Sequence, residues 1–486
     1  MPIWMEKFAP IALLLVVVGI VIARLPRVEG LDHSDAFRKR RVMNWLPLGL
    51  TYAFLYMGRY NIKVSQHAFG DIDWGGVPLM TNQDFSTIFM VGTFVYGGSF
   101  LLNGPLTDRY GGKFSILTGA GGSLLMNLLM GLATWSVLND GPMAQDIGDN
   151  LTVVMSVLYG ANMYFQSFGA VAIVKVNAPW FHVRERGVFG AIFGILISLG
   201  VYFAFDWGYM IISHFDLEMV FLIPTVLLAI FWVADLLIVK NTPGEAGMDD
   251  FDTADASSGD DGPQLGAIEV FKLMFRNPII ITIACVEFCS GFLRQAIMQW
   301  FRSYAKQTDA VLGLKESFVY ENWGMLLCCA GIMGGVFAGV ISDRVFQSRR
   351  GPVAGILYAG MLIGGIVMTF TYQTAFLPWL VVIMSMFVIG VHGMLSGTAS
   401  MDFGGKKNVG IAVGIIDGFV YAGTGVMSLT YIFILPDDSN MEIAGNPDNW
   451  VSWPISMIPI SLLGMVLAFR LWNAKPKPKG GAAKAG

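Results

Sequence analysis

The chain has 486 residues, of which 55% are hydrophobic and 14% charged, and it carries a net charge of -4. Soluble domains hold about 25% charged residues, whereas apolar runs of the roughly 20 residues needed to cross a bilayer recur along this whole sequence. A soluble fold, a single membrane anchor and a porin-type barrel of short alternating strands are thereby excluded, and no basic surface pattern points to nucleic acid.

The first apolar segment covers 8–25. It has the length of a signal peptide, but Arg24-Leu25-Pro26-Arg27 follows it where a small-x-small cleavage site would be needed. A retained extra helix is therefore expected, completed by a basic loop to residue 43. Six spans follow at 44–66, 84–107, 114–137, 151–175, 187–212 and 218–239. They make up a first bundle, 44–239. The segment 240–277 gathers Glu245, Asp249, Asp250, Asp252, Asp255, Asp260 and Asp261 among Gly, Ser and Pro, and reads as a solvated linker. Spans at 278–304, 319–342, 352–372, 376–401, 408–434 and 453–473 form a second bundle, 278–473, followed by a lysine-rich tail, 474–486.

Loop charge alternates along this chain. Arg24 to Arg41, then Arg109 with Lys113, Arg184 with Arg186, Arg344 to Arg350, Lys406 with Lys407 and the tail carry the positive charge. The intervening loops at 67–83, 138–150, 213–217, 373–375 and 435–452 contain no Lys or Arg, and only Lys306 and Lys315 near 305–318 break the pattern. Basic loops face the cytoplasm. The expected place is thus a cell inner membrane, with the C-terminus cytoplasmic and the N-terminus outside. Cys285, Cys289, Cys328 and Cys329 lie in apolar spans without metal spacing, so no metal site is expected.

The two bundles share a register. Gly104-Pro105-Leu106-Thr107-Asp108-Arg109 recurs as Gly339-Val340-Ile341-Ser342-Asp343-Arg344, 235 residues later. Arg59 and Arg294 stand at the same offset of 235, each in the first core helix of its bundle. One ungapped offset for two features indicates duplicated six-helix units. Transporters built this way place the substrate at the repeat interface near mid-bilayer. Asp108, Arg109, Asp343 and Arg344 are expected to gate, by pairing with facing helix ends and latching the halves on the cytoplasmic side.

Arg59 and Arg294 are deep in their spans, where a charge costs at least about 2.5–3.5 kcal/mol. Either each pairs with a buried acid, or both face a polar cavity and grip an anion. Guanidinium donors match phosphate and carboxylate oxygens in bidentate fashion. Lys63 follows Arg59 by four residues and shares its helix face, either as a third cation or near the outer mouth. Tyr52, Tyr56 and Asn61 offer further donors, with aromatic packing the alternative role for Tyr56. Glu287, Asp417 and His392 are candidates for balancing the arginines or carrying a proton, with a satisfied core histidine the alternative role for His392; Asp206 and Asp235, nearer the span ends, are expected to be solvated.

These residues resemble the major facilitator superfamily and, within it, the organophosphate:phosphate antiporter family. The resemblance rests on Gly58-Arg59-Tyr60-Asn61, on Phe292-Leu293-Arg294-Gln295 with Trp300, on Trp180 to Gly187, and on Gly404-Gly405-Lys406-Lys407 with Gly410 and Gly414; it spans about 44–473. It implies an all-α polytopic fold of two six-helix bundles about a pseudo-two-fold axis, here with one extra N-terminal helix. It also implies that Arg59 and Arg294 bind phosphate, and that a phosphorylated organic anion of glycerol-3-phosphate or sugar-phosphate type is exchanged for inorganic phosphate by rocking of the halves. The partners are then a small anion, inorganic phosphate and the lipid bilayer, with no cofactor, no enzymatic step, and a monomer sufficient. Phe100 stands where the family has a lysine, Ile197 where it has a histidine, and Val171-Ala172 where it has paired prolines, so the pocket for the organic moiety is more apolar. The rival readings are a carrier of another organic anion, a proton-coupled exporter, and a sensor that binds a phosphate ester without moving it.

Overall fold

The computed structural model describes residues 19, 33–182, 186–251, 253, 267–346, 350–396 and 400–473. Of the extra helix expected over 8–25 only residue 19 is among them, and the tail from 474 lies outside them. The first half contains α1 (Asp35–Gly70), α2 (Asn82–Tyr110), α3 (Gly112–Leu138) and α4 (Leu151–Asn177). It continues with α5 (Arg186–Tyr202), prolonged through a π-helical turn at Phe203–Trp207 and the helix Gly208–His214, and ends with α6 (Met219–Ile238). The second half contains α7 (Pro278–Gln307), α8 (Trp323–Arg344), α9 (Arg350–Thr371), α10 (Leu377–Met394), α11 (Ser400–Ile434) and α12 (Ser452–Arg470).

Local chemistry fixes the starts of these helices. Ser34 caps α1 by accepting from the Phe37 amide, and Asn277 caps α7 just before Pro278, whose missing N–H costs nothing there. Thr81 and Asp84 cap α2 reciprocally, each side chain accepting from the other's amide. Among the described residues, ten helices are long and apolar enough to cross a membrane, and Trp323–Ala338 in α8 is a shorter apolar stretch. α1 is the polar exception, since it buries Asn44, Arg59, Asn61, Lys63 and Gln66. Large apolar side chains such as Phe370, Phe433 and Leu237 stay exposed on the outside of the bundle, where lipid would cover them.

The halves meet along α2–α11 and α5–α8. Gly97 and Gly418 face each other on α2 and α11, and a Cβ at Gly97 would stand 3.0 Å from the Gly418 carbonyl, so two backbones touch where a side chain would push them apart. α1 and α7 meet across the same seam at equivalent positions. Gln295 donates to the Tyr60 hydroxyl at 3.1 Å and Lys306 pairs with Asp71 at 2.8 Å, both pairs 235 residues apart. The repeat register read from the motifs is therefore the register in which the two halves touch.

The bundle end carrying the acidic loops is tied shut between halves. Asn82 donates to Gln307 and to the Pro436 carbonyl, while Asp438 accepts from the Asn82 amide at 2.7 Å and from Gln307 at 2.9 Å. Lys306 and Lys315, which break the loop-charge alternation, are each held by an aspartate, Asp71 and Asp309 respectively.

Asp206 and Asp235 are not solvated as expected; they are 4% and 0% exposed. The π-helical turn holds Asp206 against the start of α8, where it accepts from the Gly324 and Met325 amides at 2.9 and 2.8 Å. A carboxylate there meets unpaired N–H groups and the positive end of the helix dipole. Asp235 accepts from the Thr51 hydroxyl at 2.6 Å. The linker is also not wholly solvated: a helix covers Ala267–Phe275, and Phe251 packs on His33 and Phe37.

Candidate functional site

α1 presents Arg59 near the middle of the molecule, 2% exposed. α4 positions this turn, with Tyr159 and Asn162 donating to the carbonyls of Arg59 and Gly58. The guanidinium then donates in three directions, to Gln166 at 3.0 Å, to the Tyr421 hydroxyl at 2.7 Å and to the Tyr96 hydroxyl at 3.0 Å. The rings of Tyr56 and Tyr96 flank its face at 4.6 and 4.7 Å. All of these partners are neutral, so a full positive charge is held in place by hydroxyl, amide and π-density rather than cancelled. Pairing with a buried acid, the alternative to anion binding, is not what holds Arg59.

Arg294 on α7 is 9% exposed, and its Nε is buried with no hydrogen-bond partner. Tyr60, Tyr421, Tyr56 and Glu287 are its electrostatic neighbours. Tyr56 and Tyr421 interact with Arg59 as well, which places both arginines around one set of tyrosines. Tyr421 comes from the opposite half to Arg59, so the site is shared between halves.

Lys63 does not join the arginines. Its Nζ donates to Gln66 and, across the seam, to Ser303, both at 2.6 Å, and lies over the rings of Phe85 and Trp300 at 4.7 and 5.2 Å. That is the closed end, where the loops without Lys or Arg at 67–83 and 435–452 meet. Asn61 is turned away altogether: it donates to Asn127 on α3, inside its own half. Phe100 is fully buried and packs edge-on against Tyr96, so the apolar substitution lies beside the Arg59 cage.

On the second half, His392 Nδ1 and Glu287 Oε2 are 2.8 Å apart, with Glu287 fully buried. Ser396 donates to Asp417 at 2.6 Å. Of the expected latch, Asp108 pairs with Lys175 at 2.6 Å within its own half rather than across the seam, and the Arg109 guanidinium lies over its neighbour Tyr110. The side chains of Asp343 and Arg344 lie outside the described residues.

Sequence reasoning missed Tyr96, Gln166 and Tyr421, the partners of Arg59. It also missed Arg302, which donates to the Tyr320 carbonyl and stacks between the rings of Tyr209 and Tyr320 at 3.6 and 3.9 Å. Arg302 had a signal: it is a second buried cation two turns beyond Arg294 in the same apolar span.

A family model described as Major Facilitator Superfamily matches residues 43–428. The chain is similar to a glycerol-3-phosphate transporter of Bacillus subtilis, 24% identical over 92% of this chain and 96% of that one. It is also similar to the membrane sensor protein UhpC of Salmonella typhimurium, at 21% identity over 82% and 87% of the two chains. A probable hexose phosphate transport protein of Chlamydia pneumoniae matches at 21% identity over 79% and 82%. Among solved structures, a bacterial homolog of the human lysosomal transporter Spinster shares the fold with a TM-score of 0.59 at 12% identity, covering 90% of this chain and 97% of the other. The nucleoside transporter NupG does so with a TM-score of 0.56 at 13% identity, over 89% and 98%.

Proposed function

The chain belongs to the major facilitator superfamily, and on that premise we propose that it carries a phosphorylated small organic anion, of glycerol-3-phosphate or sugar-phosphate type, across the inner membrane in exchange for inorganic phosphate. The observation that carries this reading is the pair of buried guanidiniums at repeat-equivalent positions, one held only by neutral groups and the other without a hydrogen bond among the described residues. A dianion between them supplies the charge they lack and accepts bidentate donation. The names of the similar transporters, glycerol-3-phosphate and hexose phosphate, agree in substrate class.

The mechanism is alternating access. An empty site with unpaired buried charge is costly to occlude, and an anion that neutralises it lets the halves rock. Asn82, Gln307, Asp438, Lys63 and Ser303 would part on the acidic face, taken as outside, when that end opens.

The test is exchange in proteoliposomes. Vesicles preloaded with phosphate should take up labelled phosphate, glycerol-3-phosphate and hexose phosphates should compete, and carboxylates should not. Uptake that ignores internal phosphate would refute the exchange. A second reading, favoured by the likeness to UhpC, is a sensor; it predicts saturable binding of a phosphate ester with no flux.

A further inference from the structure

A second group of cationic side chains lines the seam between α1 and α7, toward the closed end. His67 and Arg302 stand 235 residues apart, the offset of Arg59 and Arg294, and each follows its arginine by eight residues. At about 1.5 Å of rise per residue, this level lies roughly 12 Å along the helices from the arginine pair. His67 Nε2 and Arg302 Nε are both buried without a hydrogen-bond partner. Lys63, one turn before His67, is 1% exposed. Lys63, Lys306 and Arg302 are electrostatic neighbours of His67, and Arg302 and Asp438 are those of Lys63. Three acids near this level are occupied. Asp71 is taken by Lys306, Asp438 by Gln307 and the Asn82 amide, and Asp206, a neighbour of Tyr209, by the Gly324 and Met325 amides.

Neighbouring buried cations repel, and each is costly to bury unless it is paired. Packing does not require them here: the position on α7 equivalent to Lys63 is Met298, 3% exposed and uncharged. Between the two levels the seam stays polar, with Gln295 bonded to Tyr60 across it and Gln299 bonded to Gln295. We propose that Lys63, His67 and Arg302 form a second anion site, which takes the phosphate group of a passing substrate, free or esterified, between the closed end and the arginine pair. The inference rests on the reading of that pair as the central anion site. Arg302 is held by the Tyr320 carbonyl and by the rings of Tyr209 and Tyr320, and its Nε remains to donate. Lys63 exchanges Ser303, a neutral partner on the opposite half, for a phosphate oxygen as the halves part at this end. His67 donates from Nε2 when its hydrogen is placed there. A tetrahedral oxyanion then meets donors from both halves, two of them charged.

The experiment is equilibrium dialysis of the full-length purified protein against labelled inorganic phosphate, counting anions per chain at saturation. The wild type should hold two. Arg294→Ala should hold one, and Lys63→Met and Arg302→Gln should each hold one. Arg294→Ala combined with Lys63→Met should hold none. Excess unlabelled glycerol-3-phosphate should displace both labelled anions from the wild type; label that stays would contradict a site for phosphate groups free or esterified. A single anion in the wild type, lost in Arg294→Ala and kept in Lys63→Met, would overturn the second site. So would two anions that survive both Lys63→Met and Arg302→Gln. Lys63→Met decides alone if Arg302→Gln does not fold, because it copies the residue that already packs at the equivalent position. No anion in the wild type would instead sink the central-site reading itself.

Discussion

Arg59 and Arg294 occupy equivalent places in the two repeats, yet their surroundings differ. Arg59 is fully engaged, with three hydrogen bonds and two flanking rings, one bond reaching into the opposite half. Arg294 lacks a hydrogen bond among the described residues and is backed by an acid–histidine cluster. Duplication supplied the same cation twice. Divergence left one tied on three sides and the other without a hydrogen bond among the described residues.

The sharpest way to break this comparison is to remove each arginine. Arg59→Ala and Arg294→Ala should both abolish phosphate exchange in proteoliposomes, by at least ~100-fold, since each deletes about half of a charge-assisted clamp worth several kcal/mol. Lysine at either position should restore little, because it loses the bidentate fork. Thermal stability should separate the two: Arg59→Ala strands Tyr96, Tyr421 and Gln166 and should melt several degrees lower, whereas Arg294→Ala removes an unpaired buried donor and should not. Equal melting losses would show that the two sites are alike.

Tyr421→Phe isolates the hydroxyl that joins Arg59 to the other half. A hydrogen bond to a charged group contributes about 1.5–3 kcal/mol, so phosphate affinity measured by calorimetry should fall about tenfold. An unchanged affinity would make Arg59 self-sufficient within its own half.

A smaller effect tests the closed end. Burial pushes the Asp438 carboxyl up to about 6, against the hydrogen bond from the Asn82 amide. In an opened end Asp438 would titrate near its ordinary 3.8, so the closed form binds a proton more tightly. Closure is therefore expected to gain as pH falls below about 6 and to gain nothing further below 3.8. Spin labels at Val77 and Met441, exposed on opposite halves at this end, should report more of the short distance at pH 5 than at pH 7. A shift toward the long distance would reverse the sign. Least of all, Asn61→Ala should leave phosphate affinity within about twofold while lowering stability by about 1 kcal/mol through the lost hydrogen bond to Asn127.

The helices, the loop-charge alternation and the 235-residue register were legible because each depends on composition or spacing along one segment. The cage of Arg59 was not, since its three partners lie 107, 362 and 37 residues away and only packing brings them together. Asn61 could have been placed from geometry alone. Two residues along a helix turn the side chain by about 200°, so it cannot share the face of Arg59, whereas Tyr56 and Lys63, three and four residues off, do. Asp206 was misread because span position indicates depth and says nothing of whether a neighbouring helix begins there. The partner of Asp108 was not legible for a similar reason: the motif names Asp108, but only packing brings Lys175 of the same half to it.

The pairs Tyr60–Gln295 and Asp71–Lys306 join positions that the duplication made equivalent. In an ancestral assembly of two identical copies, each such position would have faced itself, and an aspartate at that contact would have met an aspartate. Opposite charges there are available only to halves that can mutate separately. The Asp71–Lys306 bridge is thus a trace of symmetry broken after fusion, and it commits the two halves to one another: neither could pair with a second copy of itself without placing like charge against like.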